Sequence, residues 1–284
     1  MPNRNKEEIR QEVRNRYANV ARSADLSSLS GIETPCCGQS DISTTNNSSG
    51  SCCGSPEVTS QQLSTLMGYS KEDLDSVPEG ANMGLGCGNP VALASLTTGE
   101  TVVDLGSGGG FDCFLAAKQV GESGKVIGVD MTPDMISKAR MNAEKINADT
   151  VEFRLGEIEH LPVADNTADI IMSNCVINLS PDKQSVYNDA FRVLKPGGRL
   201  AISDVVATAT LPDEIQQDLA LLSACVGGAA TIDDTESMLK EAGFQDIEII
   251  PKDESRELIS KWVPGKNTNA EDYVISAYIK AVKP

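Results

Sequence analysis

The stretch from Thr101 to Asp112, TVVDLGSGGGFD, constrains this chain more than any other. Thr101 to Leu105 joins β-branched and apolar residues into what reads as a buried strand, and three closely spaced glycines follow at once. Phe111 to Val120 is apolar at helical spacing, so the unit is strand, glycine turn and helix start. That geometry brings backbone N–H groups against a ligand. The glycine spacing separates two ligand classes. A dinucleotide fingerprint needs Gly-x-Gly-x-x-Gly, and counting from Gly106 and Gly108 the third position is Phe111. The pattern present, Asp104 followed by Gly106-x-Gly108-x-Gly110, weakens an NAD assignment.

The same alternation continues. Lys125–Asp130 reads as a second strand ending in an acid about 24 residues after Gly106, where a carboxylate grips ribose hydroxyls. Pro133 starts a helix that buries Met135, Ile136 and Ala139, and Val151–Leu155 is a third strand. A fourth strand, Asp169–Asn174, ends at Cys175, which falls at the mouth of the crevice because ligands of open α/β sheets bind at the carboxyl ends of strands. A helix over 181–194 stops at Lys195-Pro196-Gly197-Gly198, and Arg199–Val205 is a fifth strand. Five strands alternating with helices predict a doubly wound sheet.

Beyond Val206 the pattern predicts helices over Leu211–Cys225 and Ile232–Ala242, then strands over Gln245–Ile250 and Tyr273–Val282 flanking a helix with Trp262. Upstream, Gln61–Leu74 reads as one short helix and 77–90 as a glycine-rich loop carrying Cys87 between glycines. Lys6 to Ala21 places Ile9, Val13, Tyr17 and Val20 at helical intervals, giving either a packing helix or a lid whose Tyr17 reaches the cofactor. The expected divisions are 1–75, an N-terminal helix and flexible Cys-rich segment; 76–206, a Rossmann-like binding domain; and 207–284, an insert with the closing strands.

Composition narrows the function. A net charge of −17 argues against nucleic acid as partner, and the longest apolar run, Ala168 to Leu179, is too short and too interrupted to span a bilayer. The charged N-terminus lacks the pattern of a signal peptide, so a cytoplasmic location is expected. In a reducing compartment eight cysteines are packing residues, ligands of a soft centre or redox groups rather than a disulfide framework. The single histidine, His160, reads as a loop residue, which leaves little room for zinc or a histidine-activated nucleophile. The pairs Cys36-Cys37 and Cys52-Cys53 lie in a Ser/Gly/Asn-rich loop, where adjacent thiols can chelate a thiophilic centre.

Asp104 with its three glycines resembles the first motif of class I S-adenosylmethionine-dependent methyltransferases, and the segments GANMGLGCGNP, VIGVDMTPDM, FRLGEIEHLPVAD, SNCVINLSPDK, RVLKPGGRLAISD and CVGGAAT together resemble arsenite S-adenosylmethionine methyltransferases. The resemblance runs from about Val13 to Pro284. It implies a Rossmann-like class I methyltransferase fold, with a mostly parallel seven-stranded sheet, helices on both faces and an arsenic-binding C-terminal insert. It implies Cys87, Cys175 and Cys225 as arsenic ligands, and Cys36, Cys37, Cys52 and Cys53 as accessory thiols. Cofactor contacts would come from Tyr17, Asp104, Gly106, Gly108, Gly110, Asp130, Met131, Glu157, Ile158 and Asn174, with Cys113 left to packing. The expected reaction takes arsenite and methylarsenite to mono- and dimethylarsenicals, with thioredoxin or glutathione as thiol reductant. A metalloid-sequestering protein and another small-molecule methyltransferase are the alternatives.

Overall fold

The computed structural model describes residues 5–29, 59–218, 221–222, 225–256, 259 and 272–284. Cys36, Cys37, Cys52, Cys53 and the expected helix around Trp262 lie outside them. One seven-stranded sheet organises the rest, in the order β3-β2-β1-β4-β5-β7-β6. β1 (Thr101–Leu105), β2 (Lys125–Asp130), β3 (Val151–Leu155), β4 (Ala168–Asn174) and β5 (Leu194–Ala207) are parallel, and β7 (Val274–Val282) inserts antiparallel between β5 and β6 (Gln245–Lys252).

Side-chain alternation along the central strands explains why both faces are covered. Val102, Val126, Ile170 and Met172 face one core with α4 (Pro90–Ala94), α5 (Phe111–Val120) and α6 (Pro133–Ile146). Their neighbours Val103, Ile127 and Ile171 face a second core with α7 (Lys183–Val193) and α9 (Ile232–Ala242). A third core sits at the carboxyl end of the sheet. There Val13 of α1 (Lys6–Leu29) packs with Cys87, Cys175, Cys225, Val205, Leu211 and Ile215.

Three local departures have identifiable causes. The segment read as one helix over Gln61–Leu74 is two, α2 (Ser60–Leu66) and α3 (Lys71–Asp75), because Gly68 turns the chain at φ +96° and Ser70 opens a new helix with a capping box to Asp73. The helix expected over Leu211–Cys225 stops early: α8 covers Asp213–Gln217, and Asp218 leaves the helical region and accepts the Leu221 N–H at 3.2 Å, as an N-cap does. β5 begins at Leu194 instead of Arg199, with Lys195–Gly198 absorbed where the β4 register shifts.

α1 lies across the loops at the carboxyl ends of the strands. Its buried stripe is Ile9, Val13, half-buried Tyr17 and Ala21, with Val20 displaced to the flank. Ion pairs tie it down along its length: Lys6 to Asp182 (2.6 Å), Arg10 to Glu159 (3.2 Å), Arg14 to Glu157 (2.9 Å) and Arg22 to Asp134 (2.8 Å). Among the described residues no helix is long and apolar enough to cross a membrane.

Candidate active site

Strand order reverses between β1 and β4, and the crevice outside their carboxyl ends opens into a cavity of about 260 Å³ roofed by α1. Gly106 turns the chain off β1 at φ +70°, and its N–H donates to the Val129 carbonyl at 2.7 Å. A β-carbon there would collide with Val176. At the end of β2, Asp130 Oδ2 accepts the Gly108 N–H at 3.0 Å and Oδ1 accepts the Thr132 N–H at 2.8 Å. Burial raises the Asp130 carboxyl pKa, and the two N–H bonds oppose that rise. Each oxygen keeps lone-pair capacity for a further donor, such as a ribose hydroxyl.

Tyr17, Asp104, Gly106, Gly108, Asp130, Met131, Ile158 and Asn174 all line this cavity. Asp112 and Glu159 add two more carboxylates, and Met135 joins Met131 and Ile158 in an apolar section. The donor set fits S-adenosylmethionine: acids for a cationic sulfonium and ammonium, an oriented carboxylate for a diol, and an apolar slot for a purine.

Two residues of the expected set fall elsewhere. Gly110 caps α5 and packs against Phe114 and Phe153 instead of lining the cavity. Glu157 also lies off the lining, because Arg14 at 2.9 Å and Arg10 at 3.4 Å take its carboxylate for docking α1. Its near neighbour Glu159, held by Ser180 Oγ at 2.7 Å, faces the cavity. Alternation would put residues two apart on one side, so the contacts with Arg14 and with Ser180 separate them, and the motif does not reveal that. His160 is exposed, and Cys113 is buried with its thiol donating to Asp104 at 3.2 Å.

Cys87, Cys175 and Cys225 come from three separate segments and meet in one buried cluster beside the cavity. Cys175 and Cys225 line it, whereas Cys87 sits one layer behind. Cys225 Sγ donates to the Cys175 carbonyl at 2.6 Å, and Cys87 Sγ lies 3.6 Å from Ser203 Oγ. Cys175 at φ +57° and Cys225 at φ +63° both occupy left-handed backbone, an uncommon conformation for a residue with a β-carbon. Hydrogen bonding with Cys225 and Cys87, then burial, raises the Cys175 pKa. For Cys225 the Cys175 thiol favours thiolate, but burial and Asp204 outweigh it and the pKa rises as well; its own bond to the Cys175 carbonyl acts in the same upward sense, because only the thiol can donate it.

A network of hydrogen bonds fixes the Cys87 loop to the cavity wall. Asn174 Oδ1 accepts the Cys87 N–H at 2.9 Å, while Asn174 Nδ2 donates to the Gly88 carbonyl at 3.0 Å and to Asp112 Oδ2 at 3.1 Å. Tyr69 completes it, its hydroxyl donating to Asp112 Oδ1 at 2.6 Å. Neither Tyr69 nor Asp112 stands out in the sequence; only the FD that follows the glycine turn hints at the second. The glycines flanking Cys87 follow from this packing, because a β-carbon on Gly86 would lie 2.7 Å from the Asn174 amide and one on Gly88 would collide with Ser203 Oγ. Gly88→Ala is therefore expected to push Cys87 out of the cluster. The Cys87 thiol should react with iodoacetamide about tenfold or more faster than in the parent, while S-adenosylhomocysteine affinity, measured by calorimetry, stays within about twofold.

Burial pushes Asp112 and Asp204 up to about 6. A carboxyl raised on folding contributes stability that is full below the unfolded pKa of about 4 and is lost as pH rises through the folded value. Glu152, hydrogen-bonded by Arg154 and Lys125 and held down to about 2, acts in the opposite sense, losing its contribution as pH falls from its ordinary value. Asp112→Asn removes one such contribution, so between pH ~4 and ~7 its melting temperature is expected to fall less, or rise more, than the parent's. Equal slopes for the two proteins would contradict this assignment.

Comparison with known proteins agrees with this architecture. A family profile described as a methyltransferase domain matches residues 96–243. An arsenite methyltransferase of Halobacterium salinarum is 53% identical over 281 residues, covering 99% of this chain and 68% of that protein. An arsenite methyltransferase of Aquipseudomonas alcaligenes is 44% identical over 195 residues, covering 66% of this chain and 56% of that protein. The chain thus spans between just over half and about two thirds of the length of these relatives. The crystal structure of an arsenic(III) S-adenosylmethionine methyltransferase from Chlamydomonas reinhardtii superposes with a TM-score of 0.55 at 33% identity, covering 77% of this chain and 71% of that one. With a Rossmann-like class I methyltransferase fold and a relative matched along nearly its whole length, the chain belongs to the arsenite methyltransferase family of S-adenosylmethionine-dependent enzymes.

Proposed function

We propose that this chain methylates trivalent arsenic held by Cys87, Cys175 and Cys225, converting arsenite and methylarsenite to mono- and dimethylarsenicals. The observation that carries the reading is the convergence of these three buried thiols beside a cavity whose other wall fits S-adenosylmethionine. Raised thiol pKa values are compatible with loading. Each protonated thiol that replaces a hydroxide on arsenous acid sends its proton out in a water molecule, so loading needs no general base. Trivalent arsenic is soft, and three thiolates bind it as a pyramid with the lone pair opposite the sulfurs.

S-adenosylmethionine supplies an electrophilic methyl carbon on a sulfonium. The chain's part is to bring the two reactants within about 3–3.5 Å in line, a positioning effect that accounts for much of such rate enhancements. Asp130 and the glycine turn hold one side, Asn174 ties the Cys87 loop to the other, and α1 with Tyr17 covers both. Once the arsenic lone pair has become a bond to carbon, the centre is formally pentavalent, and a dithiol such as thioredoxin or paired glutathione supplies two electrons to return it to the trivalent state. Cytoplasmic location and accessory thiols at Cys36, Cys37, Cys52 and Cys53 belong to the same proposal.

Arsenic speciation after incubation with S-adenosylmethionine, arsenite and a thiol tests it. Methylated arsenic is the expected product, while stoichiometric arsenite binding without any would leave a sequestering protein.

A further inference from the structure

One buried acid is assigned no contact with arsenic or cofactor in the proposed function. Asp204, near the end of β5, is 2% exposed and lies beside the thiol cluster, where Cys87 Sγ, Cys175 Sγ and an Asp204 carboxylate oxygen are all within 4.8 Å of one another. From these three donors we propose a second ligand for the site: a thiophilic divalent cation of the Zn²⁺ or Cd²⁺ type, bound by Cys87, Cys175 and Asp204 in mutual exclusion with arsenic. The inference goes beyond the proposed methylation and shares only two of its three thiols.

The donor chemistry favours such an ion. Two sulfurs and one carboxylate oxygen form a borderline-soft set, suited to Zn²⁺ or Cd²⁺ and unsuited to Mg²⁺ or Ca²⁺, which take oxygen ligands. Asp204 is oriented as ligating carboxylates are. Its Oδ1 accepts the Val205 N–H at 2.7 Å and Asn178 Nδ2 at 3.0 Å, and its Oδ2 accepts the Ile177 N–H at 2.9 Å. Three donors on a group with about four acceptor sites leave one free on Oδ2. Zinc bonds of about 2.0–2.3 Å require ligand atoms slightly closer than 4.8 Å, so a contraction of about 1 Å seats the ion.

The cation differs from arsenic in what it needs. It gains from the anionic oxygen, whereas trivalent arsenic gains from a third sulfur and must keep its lone pair open toward the cavity. On binding, two thiol protons leave to solvent and the cation takes their place, which removes Cys87 and Cys175 from arsenic. Cys175 lines the cavity, so the ion has the same entry route. The consequence is an enzyme switched off by a divalent metal at its substrate thiols.

Cadmium titration of the full reduced chain tests this, with Cys36, Cys37, Cys52 and Cys53 replaced by serine to remove competing thiols. The sulfur-to-cadmium absorption should saturate at one ion per chain. Cys225→Ser should hold cadmium within about threefold of the parent yet lose arsenite, while Cys87→Ser and Asp204→Asn should each weaken cadmium by about tenfold or more. Equal loss in Cys225→Ser and Cys87→Ser, or no change in Asp204→Asn, would overturn the proposal. Should Asp204→Asn fail to fold, the cadmium NMR shift of the parent decides: a two-sulfur, oxygen-containing shell supports the site and a three-sulfur shell rejects it. Absent cadmium binding with intact arsenic methylation removes this inference alone. Cadmium binding without methylated arsenic removes the proposed function alone.

Discussion

Cys225→Ser is expected to lower arsenite methylation by about a hundredfold or more while S-adenosylhomocysteine still binds with near-parent affinity. Serine is slightly smaller than cysteine but can still donate to the Cys175 carbonyl, so the turn at φ +63° should persist and the loss isolates the sulfur. With two thiolates left, arsenic keeps a labile oxygen ligand and its lone pair is no longer aimed, and misplacement by about 1 Å costs on the order of a hundredfold in a positioned reaction. Cys175→Ser should behave alike. Unchanged turnover in both variants would dissolve the three-thiol site, and loss of S-adenosylhomocysteine binding would mean that the fold had been damaged instead.

Asp130→Ala should have the next largest effect, on the other reactant. The carboxylate holds the Gly108 and Thr132 N–H groups and leaves capacity for a diol. Charge-assisted hydrogen bonds contribute about 1.5–3 kcal/mol each, so losing two to a ribose raises Kd by about a hundredfold or more. Because Asp130 offers arsenic no sulfur and its carboxylate is engaged by Gly108 and Thr132, arsenite binding in the absence of cofactor should be unaffected. Calorimetry with S-adenosylhomocysteine and arsenite titration of the same preparation separate the two readings. A parallel loss of both would show that Asp130 supports the whole carboxyl edge of the sheet.

Much of this arrangement is legible in the chain because it depends on periodicity and punctuation. TVVDL and KVIGVD are buried on both faces, so apolar runs ended by glycine or acid mark both strands and their ligand ends. Cys87 between glycines and Cys175 after a strand betray their setting for the same reason. What escapes the sequence depends on distance across the fold. Tyr69 meets Asp112 from 43 residues away, and Glu159 rather than Glu157 lines the cavity where Ser180, 21 residues on, holds it, although Arg10 of α1 pairs with both. The break at Asp218 was equally hidden, since an aspartate inside an apolar helical pattern announces a cap only when the next turn folds onto it.

The left-handed backbone at Cys175 and Cys225 bears on how related chains should be read. A residue with a β-carbon is disfavoured there by roughly 1–2 kcal/mol, and glycine relieves that strain. Where the thiols carry no ligand, glycine or asparagine at these two positions is therefore a stabilising replacement. In this scaffold the cysteines hold a conformation that costs stability, so their retention in a related chain points to use of the sulfur and not to packing.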